Sequence, residues 1–249
     1  MKKTPYLGVL AALLSLWHGV SQAEEHSASA ADFTDSWQQA EPLPAVESSL
    51  SISEVSLSRA DWLREQEQQA ESALAAGDWA RAEYRLGQAL SEYPDAHAIR
   101  LRLAALLFGR GALDQARDRL QQGLELAPDH ADMRLTLARL LAEQERYQAA
   151  LQVLDESQPP LPAHLDYYSL KADMARRGGQ CVQAVDTYRR LLAESRAGAW
   201  WLGLGLCQQQ LGEDFVWAFQ QARASADLGM ASLRFVEQQL EHHGTAQTH

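Results

Sequence analysis

Basic residues are scarce in this chain, and lysine is the scarcest. Its 249 residues hold 22 Lys and Arg against 33 Asp and Glu, a net charge of −11. Beyond Lys2 and Lys3 the only lysine is Lys171. So acidic a balance argues against nucleic acid or an anionic membrane as partner, because both are held by basic patches. Catalytic signatures are missing as well. No G-x-S-x-G, H-E-x-x-H, C-x-x-C or phosphate-loop run occurs. The 8 histidines are scattered, and only His242 and His243 are adjacent, in a polar tail. Acidic pairs such as Glu65/Glu67 and Asp114/Asp118 sit among arginines and read as solvated helix faces. The expectation is a protein that is not an enzyme, with no cofactor and no metal.

Long hydrophobic runs are also in short supply. The apolar stretch from about Leu7 to Trp17 falls short of the roughly 20 residues of a comfortable membrane span. It follows Lys2 and Lys3 and ends in Ser21-Gln22-Ala23, the pattern of a secretory signal peptide. Residues 1–23 are therefore expected to direct export, most simply to a bacterial periplasm. An uncleaved anchor is the alternative, and only then would the chain contact a membrane. Losing the two lysines would take the net charge from −11 to −13. Residues 24–57 are rich in Ser, Ala, Glu and Pro without Lys or Arg, which reads as a flexible acidic spacer. Within it, Trp37 and Pro42-Leu43-Pro44 are either a docking motif or incidental to a linker.

What the chain does have is helix, repeated. With 46% of its residues apolar it can bury a real core. From Ser58 a helix is predicted, opened by a capping pair of Ser58 and Asp61 and closed at Gly77. A second runs from Trp79 to Pro94. That unit then recurs every 34 residues. Ala70, Ala104, Ala138 and Ala172 mark one phase, and Ala82, Ala116, Ala150, Ala184 and Ala218 a second. Pro94, Pro128 and Pro162 mark a third; Gly77, Gly111 and Gly179, with Glu145 in the remaining slot, mark a fourth. Small residues let antiparallel helices approach, glycine takes the positive φ that reverses the chain, and proline stops the second helix. The third unit's second helix is expected to be cut short by "DESQPPLP". In the fifth unit Trp201, Leu204 and Gly205 are one residue out of phase with Ala218, so its turn should be one residue longer.

The predicted fold is all-α: a helix–turn–helix solenoid of about five repeats over 58–228, then a capping helix and polar tail over 229–249. Leu233, Val236 and Leu240 share one face of that last helix, from about Met230 to His242. Cys181 and Cys207 fall on neighbouring helices of the fourth and fifth repeats. In an exported protein they could form a disulfide; two small buried side chains at a seam are the alternative.

A period of 34 with these signature residues resembles the tetratricopeptide (TPR) repeat family. The resemblance covers roughly Leu63 to Ala226 and is clearest in the second repeat, through Leu103, Ala104, Leu107, Gly111, Ala116, Leu120 and Pro128. It implies a concave groove, lined by the first helix of each repeat, that holds a peptide or helix of a protein partner. The slots it assigns are Arg64, Glu67, Glu71 and Leu74 in the first repeat and Leu101, Ala105 and Phe108 in the second. Leu135 and Arg139 follow in the third, Ser169, Asp173, Arg176 and Arg177 in the fourth, and Trp200 in the fifth. Leu101 and Phe108 would form an apolar centre, and Arg139, Arg176 and Arg177 a cationic region. An extended partner with a hydrophobic anchor and an acidic flank would suit such a groove. The order of spacer, tandem repeats and a late "WWLGLGLCQQQLG" is similar to the MshN-type proteins of MSHA type IV pilus biogenesis. That likeness implies a periplasmic scaffold in pilus or secretion assembly. An adaptor recruiting a cell-wall or polysaccharide enzyme is the alternative.

Overall fold

The computed structural model describes residues 57–246. The expected signal peptide, most of the acidic spacer with Trp37 and Pro42 to Pro44, and the last residues of the tail lie outside them. Among the described residues there are eleven α-helices and no strand. They run α1 Arg59–Ala75, α2 Trp79–Glu92, α3 His97–Gly109, α4 Leu113–Leu126, α5 Ala131–Glu143, α6 Tyr147–Asp155, α7 Leu165–Arg177, α8 Cys181–Glu194, α9 Gly198–Leu211, α10 Val216–Ala224 and α11 Met230–Ala246. Odd-numbered helices up to α9 are the first (A) helices of five repeats, and each packs antiparallel on the even-numbered B helix that follows.

Local chemistry sets the helix ends. Ser58 caps α1, its Oγ accepting from the Asp61 amide at 3.2 Å and donating to the Asp61 carboxylate at 2.6 Å. The A–B turns pass through left-handed residues: Gly77 at φ 75°, Gly111 at 80° and Gly179 at 78°. Glu145 takes the same conformation at φ 57° with a side chain present, at a cost of roughly 1–2 kcal/mol. Glu145→Gly should therefore raise stability by about 0.5–1 kcal/mol, read as a higher urea midpoint. The first four turns have three residues each; the fifth, 212–215, has four, with Gly212 at φ 72°. The prolines act as expected. α6 stops at Asp155, and Pro159-Pro160 leads into a single 3₁₀ turn over Leu161–Ala163.

The 34-residue phases are the packing. Ala70, Ala82, Ala104, Ala116, Ala138, Ala150, Ala172, Ala184 and Ala218 are all buried, so A and B helices close on methyl groups. Leu86, Leu120, Leu154 and Tyr188, again 34 apart, fill the space around them. In the fifth repeat Gly205 takes the alanine's place one residue early. A methyl group there would collide with Phe219 and reach Ala218.

Two buried arginines hold successive repeats together. Arg100 and Arg134, 34 apart, are 4% and 5% exposed. Arg134 donates to the Pro128 carbonyl at 2.7 Å, the Val153 carbonyl at 3.0 Å and the Glu156 carboxylate. Arg100 makes the same pair of backbone bonds, to Pro94 at 2.6 Å and Arg119 at 3.2 Å. Each guanidinium thus satisfies the carbonyl of the residue that ends the preceding repeat and one in its own B helix. A side chain at Gly123 would strike Arg100, which is why that position is bare.

At the same junction the His97 and His130 rings meet edge to face, 5.3 Å between centroids. Burial, then His130, then Arg100 push the His97 pKa below 6.5, against a smaller opposing pull from Asp95. The unfolded chain therefore binds the proton more readily than the native one. This part of the stability is complete above pH 6.5 and declines as the pH falls below it. Urea midpoints should drop more between pH 7 and pH 5 in the native sequence than in His97→Gln.

α11 closes the stack. Val236 is fully buried, Leu233 and Leu240 are half-buried, and Phe235 meets Phe219 edge-on at 6.3 Å. Two repeat lengths separate Val236 from Tyr168, so α11 stands where the A helix of a sixth repeat would. It covers the apolar side of α10 that a further repeat would otherwise need to bury.

Candidate partner-binding groove

A helices of adjacent repeats also touch one another, α3 with α5, α5 with α7 and α7 with α9. Their outward faces form the inner side of the solenoid. The 34-residue step puts Glu71, Ala105, Arg139 and Asp173 in one register across it. Ion pairs cross between helices: Arg102 on α3 bridges Glu67 at 3.0 Å and Glu71, both on α1, and Arg139 on α5 meets Asp166 on α7 at 3.1 Å. Trp200 on α9 donates its indole N–H to Ser169 on α7 at 2.9 Å.

At the C-terminal end these helices enclose a cleft of about 340 Å³ lined by Arg139, Asp166, Ser169, Leu170, Asp173, Tyr188, Ala199 and Trp200. Tyr188 is 3% exposed, and burial, with Asp173 beside it, pushes its phenol up to about 12, against the neighbouring Arg176 and Arg177. It stays a neutral hydroxyl at the cleft floor. Gly203 leaves room for it, since a methyl group there would collide with the ring.

The assigned positions differ in exposure and in partners. Ala105 is exposed, Phe108 is 43% exposed, and Leu101 and Trp200 are half-covered with their inner sides against the core. Arg64 is exposed and paired with Asp61 at 2.9 Å. Leu74 is half-buried against the N-terminal core. Leu135 is 5% exposed and packs with the core cluster; it belongs to the core and not to the groove. Arg177 turns to the edge, its guanidinium 5.5 Å from the centre of the Tyr147 ring on α6. The cationic residues are all paired: Arg176 and Arg177 share the one Asp173 carboxylate and Arg139 meets Asp166, so three guanidinium groups face two carboxylates.

Cys181 on α8 and Cys207 on α9 are joined in a disulfide, their Cα atoms 5.0 Å apart. The bond ties the fourth repeat to the fifth beneath the groove's C-terminal end. Among the described residues no cluster of three or more His, Cys, Asp or Glu could hold a metal ion, and no helix is long and apolar enough to cross a membrane.

Residues 73–127 and 107–174 match the tetratricopeptide repeat family model. Over 73–174 the chain carries tetratricopeptide-like repeats. Among solved structures, the TPR solenoid is similar to one titled "Crystal structure of MamA protein", with a TM-score of 0.57 and 17% identity over 69% of this chain and 98% of that one. It is also similar to "MamA 41-end from Desulfovibrio magneticus RS-1", with a TM-score of 0.55 and 15% identity over 73% and 98% of the two chains. At such identities the likeness is one of fold. No curated protein sequence matches the chain.

Proposed function

We propose that the protein is an exported scaffold whose concave A-helix face holds a segment of a protein partner, without catalysing a reaction. The observation that carries this is the exposed apolar row on α3, ending in Phe108, on the face where TPR helices leave side chains unpacked. The disulfide supports export, since such bonds persist in oxidising compartments, and so does the signal-like opening of the chain. The TPR frame with its late Trp-rich repeat supports a place in assembly of an MSHA-like type IV pilus or a related secretion machine.

The test is affinity capture of the tagged protein from crosslinked native envelopes, with partners identified by mass spectrometry. Recovery of pilus or secretion components is the expected result. Recovery of wall or polysaccharide enzymes would replace it with an enzyme-recruiting role. Thiol titration of the denatured, unreduced exported protein should find no free thiol; two would remove the support drawn from the disulfide.

A further inference from the structure

The exposed side chains of α3 form a seam. Ala98, Leu101, Ala105 and Phe108 are spaced three, four and three residues apart, which places them along one stripe of the helix. Ala98 and Ala105 are exposed, Leu101 is half-buried, and Phe108 is 43% exposed. The Trp79 ring, 47% exposed, lies beside Gly109, the residue that follows Phe108. Residues at three-four spacing stand about 5 Å apart along the axis, the same step that the stripe of a second helix presents. An extended segment presents side chains at a period of two and would match only part of it.

The flanks carry the second observation. On the α1 side, Glu67 and Glu71 share one guanidinium, that of Arg102, and Glu71 remains 61% exposed. On the α5 side, Arg139 is taken up by Asp166, itself 61% exposed, and Asp132 stands exposed one repeat before Asp166. Carboxylates therefore outnumber guanidinium groups on both sides of the seam, within a chain whose overall charge is −11. Beside α3 the excess charge is therefore negative, whereas Arg176 and Arg177, which share Asp173, lie on α7 at the other end of the groove.

From this we infer that the concave face seats a basic amphipathic helix of a partner protein, laid along α3. Its apolar stripe meets Leu101, Ala105 and Phe108, and its Lys or Arg flanks meet Glu67, Glu71 and Asp132. The inference rests on the scaffold reading above and adds the partner's conformation and charge.

Three labelled peptides of about 14 residues, enough helix to span the roughly 20 Å of α3, separate the possibilities. One sets leucines at three-four spacing among lysines, one keeps that frame among glutamates, and one alternates leucine with lysine. In fluorescence anisotropy with the full exported chain, the first should bind at least about tenfold more tightly than either other. Ala105→Arg, at an exposed position that leaves the core untouched, should abolish that binding. Glu67→Gln with Glu71→Gln should weaken it, and added salt should weaken it further. Equal or tighter binding of the glutamate or the alternating peptide would overturn the inference. So would binding of the first peptide that survives Ala105→Arg, which would be bulk charge attraction. If no peptide binds but a photocrosslinker at position 105 still traps a partner, the basic-helix inference fails and the scaffold reading stands. If that position traps nothing either, the scaffold reading fails with it.

Discussion

Replacing Arg134 with leucine is expected to destabilise the fold by about 2–4 kcal/mol, through loss of its charge-assisted bonds to two backbone carbonyls. The Pro128 and Val153 carbonyls lose their donor at part-buried positions, where water can replace it only in part. Glu156 adds little, since its side chain is 64% exposed and water replaces the guanidinium. Arg100→Leu should cost less: one of its two backbone bonds is long at 3.2 Å, and its Nε already lacks a partner. Urea unfolding followed by circular dichroism measures both. Equal and small losses would mean that these arginines behave as surface charges.

Gly205→Ala is expected to destabilise by about 2–3 kcal/mol, through overpacking. The added methyl group meets the Phe219 ring, which is fully buried and has no free volume to move into. Phe219→Leu in the same chain should recover part of the loss. Gly87→Ala, inside α2 with nothing within 4 Å of the added atom, should instead stabilise by about 0.5–1 kcal/mol. The opposite signs separate a glycine kept for close approach from one that only weakens its helix.

The repeat was legible because its physics is local and periodic. Buried alanines, left-handed turn residues and helix-stopping prolines each recur at a fixed step, and Glu145 could be placed in a glycine slot before its φ was seen. The shortened α6 followed from Pro159-Pro160, and the longer fifth turn from the one-residue slip of Gly205 against Ala218. Polar side chains were read less well. In sequence Arg100 and Arg134 look like surface charge, as do the chain's other arginines. The signal that could have marked them is their 34-residue spacing, in step with Pro94 and Pro128. Arg139, Arg176 and Arg177 read as a cationic patch because sequence gives a charge but not its rotamer. Asp166, on the neighbouring helix from Arg139, and Asp173, one turn before Arg176 and Arg177, decide where the guanidinium groups go. Leu135 shares its register with Leu101 and Ser169, which are half-buried, so spacing alone could not show that it packs into the core.

That the inner, A-helix face and not the outer one receives the partner can be tested directly. A photocrosslinking amino acid at position 105, on α3 in the groove, is compared with one at position 118, on the outer side of α4, in cells making the native partner. A partner-specific adduct from 105 and none from 118 is the expected result. Adducts from 118 alone, or from both sites equally, would contradict the assignment of the concave face as the binding site.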